Sequence, residues 1–140
     1  MSSKIGCANW LEALILLYDA ISAEIIGSFY QVYRTLGRGL EEKAYENSLA
    51  VALRKQGLTV EQQAPVNFYY EGAVVGDYVA DLVVENRVIL ELETAEKISE
   101  AKRIQLLNYL KASQLLVGYI LNFGPTPTFE RRVAGERVRK

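Results

Sequence analysis

The segment from Asp81 to Glu93 sets the strongest constraint on this chain, because it brings three carboxylates together around two apolar runs. Its sequence is D-L-V-V-E-N-R-V-I-L-E-L-E, and the polar turn at Glu85-Asn86 predicts a hairpin that returns the backbone. Asp81, Glu91 and Glu93 then lie at adjacent strand ends. Like charges that close are costly in a folded protein unless protons or a cation neutralise them, so the segment predicts a divalent-metal site.

The same segment also fits a purely structural interpretation. Asp81 would begin a tight segment, and Glu91 and Glu93 would form a solvent-facing pair on an edge strand, because residues two apart on a strand share a face. Both interpretations remain open at this level.

Composition excludes several classes of site. The 140 residues suit one domain, half of them apolar, and the net charge of −1 gives no global attraction to nucleic acid. A nucleic-acid surface would have to be a local patch. Cys7 is the single cysteine and there is no histidine, which excludes disulfide frameworks, thiolate zinc sites and mechanisms based on imidazole.

The apolar stretch from Trp10 to Leu17 is interrupted by Glu12 and followed by Asp19. It is therefore expected to be too short to span a bilayer, and no basic region with a small-residue cleavage site precedes it. We expect a soluble, cytoplasmic protein without a membrane partner. This apolar segment is also compatible with a homodimer.

Periodicity predicts an α/β fold with a mixed sheet of about four to five strands flanked by helices, because a strand meander followed by a helical crossover packs most simply that way. A turn is predicted at Ala64-Pro65. Helices are predicted over 21–36, 40–56 and 98–112, with helix-like sequence over 10–20 that either continues the first helix or precedes it, and strands over 58–63, 66–70, 74–84, 87–93 and 115–123.

Four motifs follow one another along the chain. They are G-x-x-E-x-x-Y at Gly39, Glu42 and Tyr45, Y-V-A-D-L-V-V-E at 78–85, V-I-L-E-L-E at 88–93, and Q-L-L-N-Y-L-K-A at 105–112. Together they resemble the small GxxExxY proteins, which belong to the PD-(D/E)XK nuclease-like superfamily. The resemblance runs from about residue 21 to about residue 133 and implies a restriction-endonuclease-like core.

The resemblance also implies a site. Asp81 and Glu91, with Glu42 from the first core helix, would hold Mg²⁺ or Mn²⁺, and the backbone carbonyl of Leu92 would join them. Such a cation generates a hydroxide-like nucleophile and stabilises the leaving oxygen of a phosphodiester. The superfamily's Q-x-x-x-Y helix, matched here by Gln105 and Tyr109, would border the metal and contact the substrate backbone. The implied partner is nucleic acid, with DNA expected.

Position 93 departs from the superfamily pattern E-x-K. Glu93 replaces the usual Lys, which changes the local charge by two units and gives four carboxylates with Glu42, Asp81 and Glu91. Some restriction enzymes of this superfamily use E-x-E, so Glu93 is interpreted as a further ligand or a base. Lys97 and Lys102 are two candidates for the missing positive charge. The alternative hypothesis is a catalytically inactive module for nucleic-acid binding or protein interaction.

Other residues have two interpretations each. Glu42 resembles an ordinary exposed helix residue when taken alone, and Tyr45 and Tyr109 also fit core-edge aromatics. The run Phe68-Tyr69-Tyr70 fits either base stacking or a half-buried strand. A basic cluster either tracks a phosphate backbone or forms a solvated tail; its members are Arg131, Arg132, Arg137, Arg139 and Lys140.

The predicted organisation has three parts. Residues 1–20 form an N-terminal helical extension, residues 21–133 form the PD-(D/E)XK-like domain, and residues 134–140 form a basic C-terminal tail.

Overall fold

The computed structural model describes residues 7–136, and all statements below concern that range. Within it the chain forms three helices and five strands. They are α1 (Cys7–Leu36), α2 (Glu42–Lys55), β1 (Val60–Tyr70), β2 (Ala73–Val84), β3 (Val88–Glu93), α3 (Glu100–Ser113), β4 (Val117–Phe123) and β5 (Pro127–Val133).

The strands form one mixed sheet in the order β1-β2-β3-β4-β5. Neighbouring strands are antiparallel except β3 and β4, which run parallel. A parallel pair needs a crossover connection, and α3 supplies it. The predicted α/β architecture, with a mixed sheet flanked by helices, is therefore confirmed.

Helices cover both faces of the sheet. On one face, α1 and α2 pack through Phe29 and Leu49 against Leu90 and Leu92. On the other face, α3 packs through Leu106 against a second cluster that includes Ile89. Because β4 is buried along its whole length, its sequence is a nearly continuous apolar run, interrupted by the buried Asn122, rather than an alternating one.

The sequence left open whether residues 10–36 form one helix or two, and they form the single helix α1. Its second half is buried through Ile21 and Ile25, whereas Trp10 is 69% exposed. By length and composition alone, the helix from Asn9 to Leu36 is long and apolar enough to cross a membrane. The sequence analysis considered only its apolar stretch from Trp10 to Leu17, which is too short to do so. Core helices of globular proteins pass the same test, so the absence of a membrane partner stays a prediction.

Two local expectations were wrong. The predicted turn at Ala64-Pro65 is absent from the described chain, because both residues lie inside β1. As β1 is an edge strand, it tolerates a proline that cannot donate to a neighbour. Arg131 and Arg132 belong to β5 rather than to a tail. The remaining basic residues, Arg137, Arg139 and Lys140, lie outside the described residues, and the three-part division of the chain stays a prediction.

Candidate functional site

The candidate site lies where β2 and β3 separate, which we call the fork and define by Asp81, Glu91 and Leu92. The pairing of the two strands ends at Leu82 opposite Leu90. Beyond that pair, side chains replace the backbone ladder: the Asp81 N–H donates to Glu91 Oε2 at 3.0 Å, and the Leu92 N–H donates to Asp81 Oδ2 at 2.8 Å. The two carboxylates are thus fixed by reciprocal bonds across the fork.

An irregularity in β2 directs Asp81 into the fork. Residues two apart on a regular strand share a face, yet Ala80 packs in the α3-side core and Leu82 in the opposite core. The pairing with β1 skips one step at the same level, because Gln62 pairs with Leu82 and Ala64 with Ala80, whereas Gln63 and Asp81 are not paired. There Gln63 adopts a positive φ of 53°, a conformation that non-glycine residues seldom adopt.

Glu91 is the most perturbed acid of the site. It is 2% exposed, and burial, followed by the charge of Asp81, raises its pKa to about 8. Burial is also the largest cause that raises the pKa of Asp81. The pKa of Glu91 is raised because the positive charge nearby is too small to offset its burial and the neighbouring carboxylate. Strongly perturbed acids of this kind are typical of functional sites.

Tyr45 positions the helix that carries Glu42. It is fully buried, and its ring stacks on Phe123 with centroids 4.4 Å apart. Its hydroxyl donates to the Gly37 carbonyl and accepts from the Leu40 N–H. Tyr45 is therefore a core residue that holds the loop before α2 and sets where the first turn of α2, with Glu42, begins.

Glu42 stays exposed at the start of α2. Partial desolvation, followed by the charge of Asp81, raises its pKa, and Glu93 acts in the same direction. Asp81 raises the pKa of Glu42, and Glu42 in turn raises the pKa of Glu91. The role of Glu42 as a metal ligand stays a prediction.

Glu93 and Lys102 both interact with Ser99 at the beginning of α3. Glu93 is half-buried, and its Oε2 accepts a hydrogen bond from the Ser99 N–H at 3.2 Å. Ser99 caps α3 by accepting from the Lys102 N–H. Lys102 Nζ lies 3.8 Å from Glu91 Oε1 and lowers the pKa of Glu42, Asp81 and Glu91. Of the two candidate lysines, Lys102 approaches the acids, whereas Lys97 is exposed.

Gln105 and Tyr109 border the fork from α3. Tyr109 is 4% exposed, and desolvation, followed by the charges of Glu91 and Asp81, raises its pKa. The Gln105 side chain interacts with the Tyr109 hydroxyl and lowers that pKa. Both residues also line a cavity of about 650 Å³ beside the β1–β2 hairpin.

Two residues near the fork were missed by the sequence analysis. Glu46 is 4% exposed and accepts hydrogen bonds from Gln62 Nε2 at 2.8 Å and Gln63 Nε2 at 2.7 Å. Gln63 also interacts with Asp81 and lowers its pKa. Glu46 follows Glu42 by one helical turn, which could have indicated a shared face, but nothing in the sequence distinguishes Gln63.

The donor set suits a hard divalent cation, because carboxylate and carbonyl oxygens are the ligands such ions prefer. Among residues 7–136, however, no three His, Cys, Asp or Glu side chains form a ready-made metal cluster. Asp81 and Glu91 each direct an oxygen to a backbone N–H, while Glu42 remains at the exposed rim. The pKa of the buried Glu91 carboxyl, raised to about 8, still fits a cation at the fork, which would take the place of the proton that Glu91 otherwise holds.

Comparisons with known proteins agree with this arrangement of elements. A sequence model of the PD-(D/E)XK nuclease superfamily matches residues 19–133. The crystal structure of SSO0001 is similar with a TM-score of 0.52 and 15% identity, over 68% of this chain and 50% of SSO0001. The chain thus spans about half the length of that structure, and at this identity the similarity concerns the fold alone. No curated protein matches the chain.

Proposed function

This chain belongs to the PD-(D/E)XK nuclease superfamily, and we propose that it is a divalent-metal-dependent nuclease that hydrolyses phosphodiester bonds in DNA. The proposal includes an E-x-E variant of the catalytic motif, formed by Glu91 and Glu93. It depends chiefly on one observation: Glu91 is buried beside Asp81, and its pKa is raised to about 8.

Asp81, Glu91 and Glu42 would hold Mg²⁺ or Mn²⁺, together with the Leu92 carbonyl. A bound divalent cation supplies Lewis-acid stabilisation of the charge on the phosphodiester. The reciprocal bonds of Asp81 and Glu91 to backbone N–H groups support this assignment, because they hold two ligands in fixed positions before a cation arrives. Such preorganisation lowers the cost of binding.

The residues around the fork have distinct roles in this proposal. Glu93 is either a further ligand or the base that accepts a proton from the attacking water. Lys102 supplies the positive charge that the usual Lys would provide, since its Nζ already lies 3.8 Å from Glu91 Oε1. Gln105 and Tyr109 contact the substrate backbone from α3.

A second candidate function is a catalytically inactive module that binds nucleic acid or another protein. It is favoured by the contact of Glu93 with the Ser99 N–H, which gives the replaced position a structural role at the start of α3. A lysine at position 93 could not accept this bond.

A melting experiment tests the cation site. Mg²⁺ or Mn²⁺ at about 100 times its dissociation constant should stabilise the wild-type protein by about 2.7 kcal/mol, because the ion binds the folded state preferentially. Asp81→Asn should abolish the rise in melting temperature. Asp77→Asn is the matched control, since Asp77 is an exposed residue of the same strand. A rise that persists in Asp81→Asn would contradict the ligand assignment.

A cleavage assay with Mn²⁺ then separates the two functions. Cleavage of DNA by the wild type that is lost in Asp81→Asn identifies an active E-x-E nuclease. Cleavage that appears only in Glu93→Lys identifies a site that has lost activity through this one position. No cleavage by any variant, without a metal-dependent rise in melting temperature, leaves the inactive module.

A further inference from the structure

The cavity beside the fork carries a more specific inference. It lies between the β1–β2 hairpin and α3, and we call it the aromatic pocket. Its volume of about 650 Å³ falls within the range of about 300–1,000 Å³ that is usual for small-molecule sites. Its walls include three rings, two branched aliphatic side chains and two amides, from Phe68, Tyr78, Tyr109, Val75, Ile104, Gln105 and Asn108.

The rings form a connected wall. Phe68 and Tyr78 meet edge to face with centroids 5.4 Å apart, and the Tyr78 and Tyr109 centroids are 6.0 Å apart. Tyr78 is 48% exposed although it lies between two aromatic neighbours. An aromatic side chain that is this accessible beside a cavity can contribute to stacking against a planar ligand.

Gly76 makes room for this wall. A Cβ at position 76 would lie 2.6 Å from Tyr78 Cε2 and 3.3 Å from Phe68 Cβ. The Tyr78 ring therefore occupies the space above the glycine. The pairing of β1 with β2 also shifts register between Phe68 and Tyr69, and such irregularities redirect neighbouring side chains.

The lining determines the chemistry of the occupant. Among the described residues, none that lines the pocket carries a charged side chain, so an ionic group placed against these walls would find no charged partner to offset its lost hydration. Rings and amides suit a planar, neutral group with hydrogen-bonding edges. Nucleobases have this combination, and stacking on aromatic side chains tolerates any base.

The pocket is continuous with the candidate site. Gln105 and Tyr109 lie in its wall about one and two helical turns after Lys102, whose Nζ is 3.8 Å from Glu91 Oε1. A nucleotide whose phosphate approaches the fork would thus have its base beside the rings. The pocket is bounded by the hairpin on one side and by α3 on the other. A base that stacks on the rings there has left the stack of a duplex, which costs unpairing energy, so the pocket favours bases that are already unpaired.

We infer that the aromatic pocket binds an unpaired nucleobase next to the phosphate that is cut, and that the protein prefers single-stranded nucleic acid to duplex. This inference rests on the proposed function for the position of the phosphate. The base contact itself requires no catalysis.

Binding measured without cleavage tests the inference. The probe is a short fluorescein-labelled single strand, compared with the duplex of the same sequence, in buffer with Ca²⁺ as an oxygen-binding cation. The wild type should bind the single strand about tenfold more tightly than the duplex. Tyr78→Ala should weaken single-strand binding about tenfold, the size expected when one base–aromatic stack is lost, and should leave duplex binding unchanged.

Tyr70→Ala is the matched control, because Tyr70 is 67% exposed on the same hairpin and lies outside the pocket residues. It should leave single-strand binding unchanged. Gly76→Ala provides a second variant that keeps every ring but displaces Tyr78, and it should also weaken binding. A single strand with one 2-aminopurine should lose fluorescence on binding to the wild type and retain it with Tyr78→Ala.

Equal binding of single strand and duplex, or unchanged single-strand binding by Tyr78→Ala, would overturn the inference. Absence of any nucleic-acid binding, or of quenching of the 2-aminopurine fluorescence, would overturn it as well. In those cases an apolar small molecule or peptide would be the better occupant. Metal-dependent cleavage that Asp81→Asn removes and Tyr78→Ala does not affect retains the nuclease and rejects the pocket. Tyr78-dependent single-strand binding without any cleavage rejects the nuclease and retains the pocket.

Discussion

Two consecutive residues of α3 face two different acidic clusters, and the clusters differ in how completely their charge is neutralised. Arg103 donates to Glu130 through Nε and Nη2, each at 2.7 Å, and Arg132 adds a bond of 2.6 Å to the same carboxylate. Lys102 instead lies 3.8 Å from Glu91 Oε1. Lys102 lowers the pKa of Glu91, Asp81 and Glu42 alike, so the described part of the chain shares one cation among these three acids.

The pKa values record this difference. Hydrogen bonding to Arg103 is the largest cause that lowers the pKa of Glu130, whereas burial raises that of Glu91 to about 8. The Glu130 cluster is a paired structural contact between α3 and β5. The fork, in contrast, leaves buried acids undercompensated, which lowers the stability of the fold and is expected where a ligand supplies the missing charge.

The largest expected effect is on the pH dependence of stability in metal-free protein. The pKa of Glu91 is raised from 4.5 to about 8 in the folded state, so the folded state binds this proton more tightly than the unfolded state. The contribution of Glu91 to stability is therefore fully present below its unfolded pKa of 4.5. It is lost as the pH rises from there through the folded-state pKa of about 8. The free energy of unfolding should fall by a few kcal/mol, with Asp81 and Glu42 acting in the same direction.

Denaturant titrations in EDTA, at about pH 5 and about pH 8.5, measure this effect. Glu91→Gln should flatten the decline, because the amide does not titrate. Glu61→Gln, at an exposed position in β1, should leave it unchanged. Equal stability of the wild type at both pH values would show that the fork is as well compensated as the Glu130 cluster.

An intermediate effect is expected at the paired cluster. Arg103→Gln removes the two-point contact and leaves the partly buried Glu130 with Arg132, so it should destabilise the fold by about 1–2 kcal/mol. The loss should be present at neutral pH and should shrink as pH falls, because a carboxyl with a lowered pKa contributes its stability above its unfolded pKa. Arg131→Gln, at an exposed position of the adjacent strand, should cost less than about 0.5 kcal/mol.

The sequence predicted most of the architecture, because hydrophobic periodicity and turn residues act locally. The helix ending at Gly37 and the strands around Glu85-Asn86 follow from such signals. Pro65 misled the analysis, because only the edge position of β1 explains how a proline fits within a strand. The unrecognised strand β5 has an alternating pattern of exposed and half-buried residues, and its place in the sheet depends on pairing with the buried β4.

The site was only partly accessible from the sequence. Its carboxylates could be found through motif spacing, but the sequence does not encode how completely each charge is compensated. That Lys102 rather than Lys97 approaches Glu91 depends on how α3 crosses the sheet. The contribution of Gln63 depends on a positive φ in β1, for which glutamine gives no sequence signal. Long-range geometry therefore decides the electrostatics of the fork.

The smallest expected effect concerns the cation at the fork. Lys102→Gln removes the charge that lowers the pKa of Glu91 and Asp81. At about pH 8.5, where Glu91 is ionised, it should destabilise metal-free protein by about 0.5–1 kcal/mol, because the Lys102–Glu91 pair is long and part-exposed. Lys111→Gln, at an exposed position of α3, is the control and should have no effect. Denaturant titration in EDTA measures both. If Lys102→Gln lowered the free energy of unfolding as much as Arg103→Gln does, the acids on the two faces of α3 would be equally well neutralised. A deficit of positive charge would then no longer distinguish the fork from an ordinary structural contact.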